Sequence, residues 1–174
     1  MEGLGFLVLV AVVFGSFFAV AIPAVTLINR AIGKSYETAA QNVFRAIAAE
    51  GIVHAEDDVP MTLTSVAVFA ASRTWRRADV RVTPRAIYVA QYGKNLFFGR
   101  MGQPMIVVPL GPWPLHPLVS PAKFHVAGAI EFDGRSTVVP LAGAVGRHTL
   151  RLESRSGPHL ANLASRILAG LPIG

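Results

Sequence analysis

The chain has 174 residues, 52% of them hydrophobic, with no cysteine and a formal net charge of +6. Its length suits one modest domain, and the absence of cysteine excludes a disulfide scaffold or a cysteine-ligated metal site. Charge is unevenly spread. Residues 1–58 carry three basic side chains (Arg30, Lys34, Arg45) against six acidic ones, a net of −3, whereas residues 59–174 carry 13 basic and four acidic groups, a net of +9.

Residues 3–29 hold no charged side chain. A bilayer core about 30 Å thick takes roughly 20 apolar residues to cross as a helix, so this run predicts a transmembrane helix over 1–30. Its length and the lack of a basic n-region argue against a cleaved signal peptide. No Lys or Arg precedes the run and three basic residues follow it, which predicts an N-terminus outside and a cytoplasmic C-terminal domain. Ala11, Gly15 and Ala19 repeat at four-residue spacing, a pattern that lets another helix approach closely in lipid. Pro23 lies near the inner end, where it can kink the helix.

Residues 31–60 read as a juxtamembrane segment. Ser35 is a plausible N-cap for a helix over 36–50, with Tyr36, Ala39, Ala40, Val43 and Ile47 on one stripe and Gly51 placed to stop it. That stripe favours packing on the domain over lying on the bilayer. The acidic triplet Glu56-Asp57-Asp58 followed by Pro60 reads as a linker.

From residue 61 the period changes from helical to alternating. Strands are predicted over 63–71 and 77–83, the latter with Ala78, Val80 and Val82 on one face and Arg77, Asp79 and Arg81 on the other. Further strands follow over 86–92, 96–98, 105–110, 124–132, 137–139 and 147–154, and Asp133-Gly134 is a strong hairpin signal. Ser156-Gly157-Pro158 opens a closing helix with Leu160, Leu163, Ile167 and Leu171 as its stripe. The fold class is thus an N-terminal transmembrane helix plus a mainly-β domain over 61–174, an antiparallel barrel or sandwich of about seven strands capped by a C-terminal helix.

This strand order, the final helix and the segment Val82-Thr83-Pro84-Arg85-Ala86-Ile87-Tyr88-Val89 together resemble a bacterial pleckstrin-homology-like domain of the single-pass, membrane-anchored type, over roughly residues 62–171. The resemblance implies binding to anionic lipid headgroups or proteins, no catalysis and a bacterial cytoplasmic membrane as location. It also draws attention to residues 72–77, a loop between the first two strands where lipid-binding members gather basic side chains.

Two surfaces stand out for contact. Arg73, Trp75, Arg76 and Arg77 in that loop combine phosphate-gripping guanidinium groups with an interface-seeking indole. Residues 110–122 carry four prolines around Trp113 and Leu115, which predicts a stiff apolar arm that docks on a partner or covers the end of the barrel. Chemistry is missing. The five histidines lack metal-ligand spacing, no nucleophile or nucleotide motif occurs, and no aromatic–basic pattern supports nucleic-acid binding. The sequence therefore predicts no enzyme, no cofactor and no metal. It predicts an accessory subunit of a larger membrane complex, for example an energy-transducing respiratory or photosynthetic assembly, bound to other membrane-protein subunits through span and domain. The alternative is a tethered module that reads anionic lipid headgroups.

Overall fold

The computed structural model describes residues 2–66, 71–95, 99–112, 114–119, 123–144 and 146–173, with side chains from residue 12 onward except at 13, 14, 66, 71, 75, 76, 94, 95, 99 and 100. A single helix, α1 (Glu2–Ala48), opens the chain. It merges two elements that the sequence divides, the charge-free run and the helix expected over 36–50. Pro23 lies inside it without ending it, because a proline removes only one backbone donor and the flanking turns continue to bond. Gly51, at φ +86°, supplies the left-handed residue that stops the helix.

Among the described residues α1 is the one helix long and apolar enough to cross a membrane. Phe17, Val20 and Leu27 on it are all more than 60% exposed. Its C-terminal third behaves differently. Ala40, Val43 and Ile47 are buried, and burying a Val or Ile side chain contributes about 1.5–3 kcal/mol each. The stripe expected to pack on the domain does so, although Tyr36 and Ala39 of that stripe stay exposed.

Nine strands follow: β1 (His54–Val66), β2 (Ala71–Val82), β3 (Ala86–Asn95), β4 (Gly99–Gly102), β5 (Ile106–Pro109), β6 (Phe124–Val126), β7 (Glu131–Phe132), β8 (Thr137–Gly143) and β9 (Gly146–Leu152). They form one antiparallel sheet in the order β4-β3-β2-β1-β9-β8-β6, with β5 also on β3 and β7 also on β8. The sheet curls until β5 and β6 lie side by side, yet no ladder joins them among the described residues. The architecture is therefore an open curled sheet with a C-terminal helix, where the sequence predicts a barrel or sandwich of about seven strands.

The helix α2 (Gly157–Leu168) packs inside the curl. Leu160, Leu163, Ala164 and Ile167 complete a core with Val80, Val82, Ile87, Val89, Leu150 and Leu152. Leu171, expected on the same stripe, lies beyond the helix and is exposed. On the other side of the sheet, Val43 and Ile47 of α1 meet Ala86, Tyr88 and Val107. Strand β3 is thus covered on both faces, and every residue from Ala86 to Tyr92 is buried. That double burial is the reason its sequence runs apolar from Ala86 to Ala90 instead of alternating.

Three strand expectations change. The acidic stretch read as a linker is the first half of β1, paired with β2 from His54↔Val82 onward. Alternation is hidden there by register shifts at Glu56/Val59 and Val59/Met61, with Asp58 at φ +59°. Residues 72–77, read as a loop, belong to β2. The strand expected over 124–132 is two short ones, β6 and β7, both on β8. The Asp133-Gly134 hairpin is present as expected between β7 and β8. Asp133 Oδ1 accepts the backbone N–H of Ser136 at 2.8 Å and of Arg135 at 3.1 Å, and Gly134 takes φ +91°.

Candidate functional site

The register of β2 decides where its basic side chains go. Arg73 lies opposite Leu63 and Ala78 opposite Val59, with a shift between Val59 and Met61 of the facing strand. Arg73 accordingly lines the inside of the curl, whereas Arg77 reaches the outer face and pairs with Asp58 at 3.6 Å. The two arginines that the sequence groups in one loop are not brought together. Trp75 and Arg76 occupy β2 between them, and their side chains lie outside the described residues.

Arg77 is thereby drawn into a charge network that the linker reading missed. Asp57 pairs with Arg81 at 2.6 Å, Tyr92 donates its hydroxyl to Asp79 at 2.8 Å, and the Arg81 guanidinium stacks over the Phe44 ring of α1 at 4.9 Å. The acidic triplet thus neutralises part of the domain's positive charge at the junction of α1 with β1 and β2. The +9 count is not all available to a partner.

The proline-rich arm divides in a similar way. Leu115 and Val119 pack onto the cluster of Val43, Ile47, Tyr88 and Val107, so Leu115 covers the junction between α1 and the sheet. Leu118 is 61% exposed. Trp113 lies outside the described residues. On α1, Gly15 and Ala19 are exposed, and Ala11 lies in the same helix with its side chain outside the described set.

Two cavities flank the gap between β5 and β6. An outer one of about 250 Å³ lies between α1 and the sheet, lined by Tyr36, Ala40, Val43, Met105, Val107 and Leu118 among others. An inner one of about 400 Å³ lies at the end of the curl away from α2, lined by Leu63, Arg73, Gln91, Gln103 and His148 among others. Pro104, Met105, Ile106, Lys123 and Phe124 belong to the walls of both. The sequence does not single out Lys123 or Gln91, because neither belongs to a motif and only the fold brings them together.

Titratable groups elsewhere serve structure. Glu56 accepts the Ser154 hydroxyl and the backbone N–H of Arg155, the latter at 2.8 Å, tying β1 to the start of α2. His54 lies beside it at 3.7 Å. Burial holds the His54 pKa below its ordinary value, against the opposing pull of the Glu56 carboxylate. Among the described residues no group of three or more His, Cys, Asp or Glu side chains is placed to hold a metal ion. No family model, no curated protein and no solved structure matches this chain.

Proposed function

We propose that this chain is a non-catalytic accessory subunit of a membrane protein complex. In this reading α1 crosses a bacterial cytoplasmic membrane once, N-terminus outside, and the basic sheet domain docks on the cytoplasmic face of its partner subunits. The observation that carries it is the unbroken helix from Glu2 to Ala48, exposed at the described side chains of its apolar half and buried on β3 to β5 along its last third. A mere tether needs no such joint. A helix locked to its domain fixes both height and rotation, which is what a subunit placed in an assembly requires.

Charge supports the same reading. Arg30 and Lys34 follow the apolar run, and the end of the sheet nearest them carries Arg73, Lys123 and Arg147, all exposed. Basic groups there contribute about 1 kcal/mol each near an anionic leaflet. Alkaline carbonate washing, followed by mild detergent extraction and size analysis, tests the proposal. Retention in the membrane pellet and co-migration with larger membrane proteins are the expected results. Release by carbonate overturns the span, and a lone small particle overturns the subunit role.

A further inference from the structure

The place where the sheet fails to close is also where its two cavities back onto a common wall. Five residues form walls of both, Pro104 to Ile106 on one side and Lys123 with Phe124 on the other. The two chambers differ in character. The outer one is lined mainly by apolar side chains, among them Tyr36, Ala39 and Val43 of α1 and Met105 and Val107 of the sheet. The inner one holds Arg73, Lys123, Gln91, Gln103 and His148 and no acidic residue. Neither Arg73 nor Lys123 has an acidic partner among the described residues.

The inner wall is also incompletely bonded. Gln91 donates its Nε2 to the Pro104 carbonyl at 2.6 Å, which leaves its Oε1 buried without a partner, as is His148 Nδ1. An orphaned buried polar atom is destabilising, because it gives up its water partner and gains none. A carboxylate entering the chamber can accept from His148 Nδ1 when that nitrogen carries the ring proton, whereas Gln91 Oε1, itself an acceptor, calls for a donor such as a water carried in with the headgroup.

Position supplies the remaining argument. Tyr36 lies seven residues past Asn29, the last of the charge-free run, or about 10 Å along a helix. The outer chamber therefore opens beside the helix that leaves the bilayer, at headgroup depth. We infer that this seam binds a single-chain anionic amphiphile of the long-chain fatty-acid class, drawn from the adjacent leaflet. Its acyl chain occupies the outer chamber and its carboxylate meets Arg73 and Lys123. The inference rests on the membrane-anchored reading above. One chain is specified because the outer chamber, at about 250 Å³, falls just under the roughly 300–1,000 Å³ of pockets that hold a whole drug-sized ligand. A guanidinium suits the carboxylate because its donors match both oxygens.

The test uses a long-chain fatty acid with a mid-chain diazirine, photolysed in membranes carrying the full chain, with labelled peptides mapped by mass spectrometry. Label on the 105–107 segment is expected, displaced by oleate and not by oleyl alcohol. The double variant Arg73→Ala, Lys123→Ala lowers that label about tenfold, equivalent to roughly 1.4 kcal/mol. Ala39→Trp, which fills the outer chamber from an exposed helix position, abolishes it, and Arg166→Ala on α2 leaves it unchanged. Label confined to residues 3–29, or label indifferent to the double variant, overturns the inference. Label from a diazirine phosphatidylglycerol in place of the fatty acid overturns the choice of ligand. Carbonate washing of the same membranes keeps the two readings apart, because release of the protein defeats the anchoring while the seam is judged by the label alone.

Discussion

Gly33 of α1 and Gly102 of β4 meet with no side chain between them. A Cβ placed on Gly102 would lie 2.5 Å from the Gly33 carbonyl oxygen and 2.8 Å from the Glu37 backbone nitrogen. A Cβ on Gly33 would in turn run into the Met101 side chain. Backbone cannot yield as a flexible side chain can, so Gly102→Ala must push helix and strand apart. We expect a loss of about 1–3 kcal/mol, the usual range for overpacking. The loss should fall on the joint, read as faster proteolysis within residues 30–50 while membrane retention is unchanged.

Glu56 joins segments about a hundred residues apart, since its carboxylate holds Ser154 and Arg155 at the entry to α2. Ser156, the N-cap residue of α2, makes no side-chain capping bond of its own. Glu56→Ala should therefore cost about 1–3 kcal/mol through donors left unpaired, measured as a fall in the urea midpoint. Glu56→Gln, which keeps one acceptor oxygen, should cost less.

His54 gives the domain a dependence on mild acid. Its folded pKa lies below the ordinary 6.5 because burial disfavours the charged ring. For a base with a lowered folded pKa, the unfolded chain takes up the proton first. Stability is therefore full above 6.5 and declines as pH falls below it, until the folded ring also titrates. Urea midpoints at about pH 7.5 and about pH 5.5 should differ in that direction, and His54→Asn should shrink the difference.

Asp133 acts at more acidic pH and with the opposite sense of ionisation. The backbone N–H groups of Ser136 and Arg135, with Arg151 nearby, hold its carboxyl below the ordinary value. The hairpin is supported above the unfolded value of 3.8 and loses that support as pH falls through the folded one. Asp133→Ala should lower the melting temperature near neutrality and leave it little changed in strong acid. Amide exchange at Ser136 reports the opening directly.

Much of the fold is legible in the sequence where one physical signal acts alone. Ala78, Val80 and Val82 alternate because β2 has one buried face there, and Leu160, Leu163 and Ile167 keep helical spacing because α2 has one buried stripe. Asp133-Gly134 turns the chain by local chemistry. The acidic half of β1 is illegible because bulges at Val59 shift its register, and composition alone then resembles a linker. The site is less legible still. Arg73 and Arg77 look equivalent in sequence, yet β2 sends one into the curl and the other to Asp58. Lys123 and Gln91 carry no signal because only the fold makes them neighbours.

The joint at Gly33 and Gly102 also has a mechanical meaning. A helix of 47 residues extends about 70 Å, and its lower third is packed on β3, whose opposite face is held by the core that includes α2. Such a rod has no pivot where it enters the domain. Any lean imposed on its apolar half becomes an equal lean of the curled sheet, and any rotation about its axis turns the open seam to a new bearing. The apolar half thus acts as a handle for the folded half.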